Sequence, residues 1–314
     1  MAGLTSVEIC AGGGGQALGL EQAGFGHEAV VELDSDACET LRRNRGTEWK
    51  IIEGDVHGLD GTGFAGVDLL AGGVPCPPFS IAGKQLGAGD ERDLFGQALR
   101  LAEQARPRAV LLENVRGLAG RRFDGYRGQV LGRLHALGYR TWWQQINASE
   151  HGVPQLRPRL VLIALRRPWC DRFGWPAPSA SPPATVGHTL GDLMAARGWP
   201  GAADWAAAAA GIAPTIVGGS RKHGGPDLGP TRARRAWAAL GVDGLGVADG
   251  APGPDWPPGQ PPRLTVAMVA RLQGFPDSWD FAGRKTAAYR QVGNAFPPPV
   301  ARALGAAIHR ALAG

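Results

Sequence analysis

Apolar residues in the first half of the chain fall in short runs with amphipathic stretches between them. Runs at 6–10, 29–33, 50–53, 67–71, 109–112, 140–145 and 159–165 have the length of strands, and the first four suit a sheet covered on both faces. Helical spacing predicts helices near 16–23, 36–43, 94–105 and 130–137. This alternation predicts an α/β, doubly wound, Rossmann-like domain over residues 1–168. The rhythm stops at Pro168, and the Pro-rich stretches 175–184 and 250–262 bracket a region without clear periodicity. A second, smaller, loop-rich domain is therefore expected over 169–283. Beyond it, Val300, Leu304, Ile308 and Leu312 recur every four residues behind Pro297-Pro298-Pro299. That stripe predicts a closing helix within 284–314 that returns to the first domain.

Composition narrows the class. With 314 residues, 44% of them hydrophobic, the chain can bury a sizeable core, and no apolar run is long enough to span a bilayer. Met1–Cys10 carries neither the basic nor the apolar segment of a signal peptide, so a cytoplasmic protein without membrane association is expected. The cysteines at 10, 38, 76 and 170 show no metal-ligand spacing, so reduced thiols and no metal are expected. The net charge of +5 is unevenly spread: residues 1–100 hold 15 acids and 7 bases, the remainder 13 acids and 26 bases. A basic C-terminal two-thirds suits a phosphate-rich partner. Arginine supplies nearly all of it alongside abundant Ala, Gly and Pro, the mark of GC-rich coding, so arginine content alone does not argue for nucleic acid.

Glu8-Ile9-Cys10-Ala11-Gly12-Gly13-Gly14-Gly15 leads from the first strand to the first helix, and its glycines permit a sharp turn and close backbone approach to a ligand. Glu32, 20 residues after Gly12, closes the second strand where a carboxylate can accept from ribose hydroxyls. Asp55 follows the third strand and can accept from an adenine amino group. A nicotinamide cofactor fits Glu32 equally well, so the loop leaves the cofactor open. Gly72-Gly73-Val74-Pro75-Cys76-Pro77-Pro78-Phe79-Ser80 follows the fourth strand, which puts Cys76 at the carboxyl end of the sheet on a proline-stiffened loop. The next strand ends in Glu113-Asn114-Val115. A thiol beside a carboxyl group suggests nucleophile plus acid, although a buried structural cysteine fits the segment as well.

Taken with three later segments, these residues resemble the DNA (cytosine-5) methyltransferase family from end to end. The glycine loop, the Pro-Cys loop and Glu113-Asn114-Val115 resemble its first, fourth and sixth motif blocks. Gln155-Leu156-Arg157-Pro158-Arg159 resembles the eighth, Arg271–Pro276 the ninth and Gln291–Ala295 the tenth. The resemblance implies S-adenosyl-L-methionine as methyl donor and duplex DNA as substrate, with the target cytosine flipped out of the helix. It implies Cys76 as nucleophile toward C6, Glu113 as a partly protonated acid at N3, Arg159 at O2 and Arg157 supporting the same pocket. For the donor it carries over onto Cys10, Ala11, Gly12, Gly13, Gly14, Gly15, Glu32, Leu33, Asp55, Val56, Pro75 and Asn294. Cys10 departs from the family's usual phenylalanine at the adenine.

The resemblance also implies a catalytic loop in which Ser80, Lys84, Gln85 and Arg92 meet DNA. Target recognition would lie within about 169–270, where Thr215-Ile216-Val217 resembles the family's signature and Arg221, Lys222, His223, Arg232, Arg234 and Arg235 surround it. A monomer is expected, with a cognate restriction endonuclease sharing the recognition sequence and no obligate protein partner. Rival readings are the tRNA-methylating branch of the same family, a nicotinamide dehydrogenase, and a non-catalytic DNA-binding module. The dehydrogenase leaves Cys76, Glu113 and the two arginines unexplained.

Overall fold

Seven strands build one sheet, in the order β3-β2-β1-β4-β5-β7-β6. The strands are β1 (Thr5–Ile9), β2 (Gly26–Glu32), β3 (Ile51–Glu53), β4 (Leu69–Gly72), β5 (Ala109–Val115), β6 (Tyr139–Asn147) and β7 (Pro158–Arg166). The computed structural model describes residues 3–75, 94–219, 225 and 227–314. Pairings among β1 to β5 are parallel, whereas β7 runs antiparallel to β5. Helices α1 (Gly15–Gln22), α2 (Ser35–Arg45), α3 (Leu94–Ala105) and α4 (Asp124–Ala136) lie between the strands, as a doubly wound sheet requires.

The chain divides into two units, and the sheet unit comprises residues 1–146, 158–177 and 301–314. One face of its sheet buries Val7, Ile9, Val31, Leu70, Val110 and Leu112 with Phe95 and Leu99 of α3 and Val130 and Leu134 of α4. A methyl group at Gly305, in the C-terminal helix, would come within 2.8 Å of Ala23 Cβ at the end of α1. Glycine there admits the C-terminal helix, whose Leu304, Ile308 and Leu312 are buried. Residues 169–177 belong to this unit because Phe173 packs on Trp142 of β6, with ring centroids 5.0 Å apart.

Register fixes the functional edge. Gly72 of β4 sits opposite Ile9 of β1 and Leu112 of β5, so β1 and β4 end level while β5 runs on to Val115 along β7. Cys10 and Gly73 leave the sheet there, beside Glu113 of β5. An added Cβ at Gly73 would lie 3.5 Å from Glu113 Oε2 and 3.8 Å from the Cys10 carbonyl.

The second unit comprises 147–157 and 178–300. It contains α5 (Val186–Ala195), α6 (Ala202–Ala208), α7 (Thr231–Ala238), α8 (Val266–Leu272) and α9 (Lys285–Asn294), while α10 (Pro298–Ala313) begins at its end. The region without visible periodicity is thus helical in short pieces. Gly187 of α5 meets the Ala206 carbonyl of α6 so closely that no side chain fits. Leu190, Trp205, Trp237, Met268, Leu272, Phe275 and Tyr289 are buried in this unit. Residues 284–300 group with it because α9 lies against the segment around Gly218: a Cβ on Gly293 would fall 2.5 Å from Gly218 Cα.

Candidate active site

The glycine loop turns sharply at the end of β1. Cys10 and Gly12 have φ of 54° and Gly14 has 85°, left-handed values that favour glycine. Ala11 N donates to Val31 O at 3.2 Å, tying the loop to β2. Gly12 N donates to Glu32 Oε2 at 2.7 Å, and Leu33 N and Asp34 N donate to Glu32 Oε1 at 2.8 Å. Glu32 therefore braces the loop that it faces, and its oxygens keep lone pairs for further donors. Next to it Leu33 is 67% exposed, an apolar surface at a polar edge. Asp55 accepts from His57 N at 2.9 Å and His57 Nδ1 at 2.6 Å, and these bonds hold its carboxyl below the usual range. Val56 is buried. Burial and the nearby Glu32, Glu8 and Asp55 carboxylates push the Cys10 thiol up to about 12, so it stays a neutral thiol. A glycine-rich backbone cradle, a ribose-type carboxylate, an exposed acid and an exposed aliphatic side chain fit the parts of a nucleoside-bearing methyl donor.

Cys76, Ser80, Lys84, Gln85 and Arg92 lie outside the described residues. The chain leading to Cys76 is fixed up to Pro75: Asn114 Nδ2 donates to Val74 O at 2.7 Å, and its Oδ1 accepts from Val115 N at 2.8 Å. Asn114 thus ties the β4 exit to the end of β5, a role that its place in the motif does not reveal. On β5, Glu113 pairs with Arg159 of β7, Nε to Oε1 at 2.8 Å, both side chains nearly buried. Burial lowers the Arg159 pKa and Glu113 opposes that shift. A guanidinium this close favours the carboxylate form of Glu113 before substrate enters.

Arg157, two residues before Arg159, belongs to the second unit. Its fully buried guanidinium donates to the carbonyls of Ile216 at 2.6 Å, Gly293 at 2.8 Å and Ala295 at 2.9 Å. Gln155 extends the same network, its Oε1 accepting from Ile216 N at 2.9 Å and its Nε2 donating to Gln273 Oε1 at 2.6 Å. Gln273 Nε2 in turn donates to Ala295 O at 2.6 Å. The eighth, ninth and tenth motif segments and Thr215-Ile216-Val217 thus converge on one buried polar network, in which Arg157 holds main chain. Thr215 Oγ1 donates to Leu156 O at 2.6 Å, and Asn294 Nδ2 to Gly219 O at 3.2 Å. Arg221, Lys222 and His223 lie outside the described residues. Arg232, Arg234 and Arg235 sit on α7, whose buried residue is Trp237.

A sheet ordered 3-2-1-4-5-7-6 with β7 antiparallel, a glycine loop after β1 and an acid at the end of β2 make a Rossmann-like methyltransferase fold. The model of the family described as C-5 cytosine-specific DNA methylase matches residues 4–210 and 228–310. Type II methyltransferase M.NaeI of Lentzea aerocolonigenes is 60% identical, over 99% of this chain and 76% of its own length. Type II methyltransferase M.NgoMIV of Neisseria gonorrhoeae is 50% identical, over 98% of each chain. Among solved structures, a candidate DNA modification methyltransferase from an E. coli prophage superposes with a TM-score of 0.70 at 22% identity, over 99% of this chain and 100% of that one. The chain belongs to the C-5 cytosine-specific DNA methylase family: it is a DNA cytosine-5 methyltransferase that takes its methyl group from S-adenosylmethionine.

Proposed function

We propose that the chain methylates a flipped-out cytosine within a specific duplex sequence through a covalent Cys76–C6 adduct. It would do so as a monomer, protecting host DNA from a cognate restriction endonuclease. The observation that carries this reading is the sheet edge itself, where the Glu113–Arg159 pair and the Asn114–Val74 tether flank the chain that enters Pro75-Cys76. The type II names of M.NaeI and M.NgoMIV support the modification role.

Cytosine C5 is a poor nucleophile. Addition of the Cys76 thiolate to C6 makes C5 enamine-like, while Glu113 and Arg159 draw charge from N3 and O2. Bound S-adenosylmethionine supplies an electrophilic methyl group; the glycine loop, Glu32, Leu33 and Asp55 would hold it. Loss of the C5 proton and of the thiolate then restores aromaticity and frees Cys76. Because Glu113 is ion-paired, substrate O2 would draw Arg159 away as the base enters, leaving Glu113 to take up a proton and share it with N3. Arg157 would serve as the scaffold of the recognition segment.

The test is covalent trapping on duplex DNA carrying 5-fluorocytosine, whose C5 fluorine blocks release. Wild type should form a denaturant-stable adduct and Cys76→Ala none; an adduct with Cys76→Ala removes the nucleophile assignment. Methylation of tRNA in preference to duplex DNA would instead support the RNA branch.

A further inference from the structure

The edge of the sheet opposite Glu113 is lined by arginines. Arg106 and Arg108 flank the chain entering β5, Arg140 opens β6, Arg166 ends β7, and Arg167 and Arg172 follow. Arg106, Arg108 and Arg166 are tied together through main chain. Arg166 N donates to Arg108 O at 3.0 Å, the Arg166 guanidinium lies 3.5 Å from Arg106 O, and Tyr139 OH donates to Pro107 O at 2.6 Å. Aromatic rings interleave with the charges. Arg108 lies over Trp169 at 5.0 Å and Arg140 over Trp142 at 5.3 Å, and Phe173 links Trp142 to Trp175 at 5.0 and 5.5 Å.

Two acids face this set: Asp68 pairs with Arg108 at 3.0 Å and Asp171 with Arg140 at 3.5 Å. Arg106, Arg166, Arg167 and Arg172 have no carboxylate partner among the described residues. Six guanidiniums against two carboxylates leave a surplus of positive charge on one edge. Guanidiniums stacked on indoles are pre-oriented, with less side-chain freedom left to lose on meeting a phosphate. Because Arg108 and Arg140 already cover Trp169 and Trp142, base stacking is disfavoured there and contact with a backbone favoured.

We propose that this edge is a second, sequence-independent binding surface for duplex DNA, separate from the edge that carries out methyl transfer. The substrate is a polymer, so a segment distant from the target cytosine can reach this face of the same molecule, and each engagement raises the local concentration of DNA for the other. The residues concerned take no part in the chemistry.

The test is the triple variant R106Q/R167Q/R172Q, three exposed side chains without ion pairs among the described residues. Binding of a long duplex lacking target sites, followed by anisotropy across salt, should show a slope shallower by about 3, since each phosphate contact contributes ~0.9. Between about 50 and 200 mM salt, wild type should therefore lose on the order of 40-fold more affinity than the variant. Methylation of a duplex of about two helical turns should keep its wild-type kcat and KM, whereas KM on plasmid DNA should rise. The control R43Q/R302Q/R310Q removes equal charge from α2 and α10. An unchanged slope in the test variant overturns the proposal, and so does an equal change in the control. A structured RNA that outcompetes duplex of equal phosphate content at this surface overturns it as well.

Discussion

Replacing Arg157 by methionine separates a scaffold from a catalytic group. Methionine keeps most of the buried volume but strands the carbonyls of Ile216 and Gly293, while Ala295 O retains Gln273 Nε2 at 2.6 Å. A buried acceptor left without a donor costs about 1–3 kcal/mol, so two give ~2–6, offset in part because a desolvated charge is also removed. The expected net loss is about 3 kcal/mol, which lowers Tm by roughly 6–12 °C at ~2–4 °C per kcal/mol. Arg157→Lys should fall between, because an ammonium cannot present the planar fork that spans three carbonyls. Unfolding followed by circular dichroism, with and without a methyl-donor analogue, measures both variants. If Arg157→Met unfolds as wild type does while methylation is abolished, the guanidinium acts on substrate and the scaffold assignment fails.

Glu113→Gln should slow methylation by about two to four orders of magnitude with little change in DNA affinity, as removal of a general acid does; single-turnover rates and gel-shift titrations check both. Gly293→Ala would place a Cβ 2.5 Å from Gly218 Cα, so backbone must shift, and a loss of ~1–3 kcal/mol in urea unfolding is expected. His27 is buried with Nε2 on Ala17 O and Nδ1 on Ser6 Oγ, both at 2.9 Å, and burial lowers its pKa. The neutral ring is favoured in the fold, so its contribution is present above the unfolded value of about 6.5 and lost as pH falls below it toward the depressed folded value. His27→Gln should flatten that part of the stability–pH profile.

The sheet was legible because strands covered on both faces leave runs such as Val30-Val31 and Leu69-Leu70-Ala71 that water-facing segments lack. Strand β2 starts at Gly26, earlier than its apolar run at 29–33, because polar His27 is satisfied by Ser6 and Ala17 across the fold. The start of α4 escaped notice because Asp124-Gly125-Tyr126-Arg127-Gly128 carries no apolar stripe. Helices α5 to α8 are 7 to 10 residues long, too short for periodicity to stand out between prolines. At the site, the acid and glycine positions could be read from their places after strands. The role of Arg157 could not, because its carbonyl partners lie 59 to 138 residues away and main-chain acceptors leave no mark in side-chain identity.

Main-chain anchoring also bears on how specificity can change while chemistry is conserved. Ile216 is gripped at N by Gln155 and at O by Arg157. Tyr289 OH donates to Val217 O at 3.1 Å and to Asp227 O at 2.7 Å, and Asn294 grips Gly219 O. Every one of these contacts is to backbone, so the anchoring does not depend on which side chains residues 216, 217, 219 and 227 carry. The family model matches the chain on both sides of 211–227 and not within it. Arg221, Lys222 and His223 fall inside that interval. Alanine at Arg221, if it reads guanine, should relax one position of the methylated sequence at a cost of about 1–3 kcal/mol in discrimination. Lys222→Ala, if it meets phosphate, should weaken all sequences together and flatten the salt dependence. Genome-wide methylation maps distinguish these outcomes. An unchanged motif in Arg221→Ala, and in alanine variants of Arg232, Arg234 and Arg235, would move recognition out of this segment and leave the anchors with a purely structural purpose.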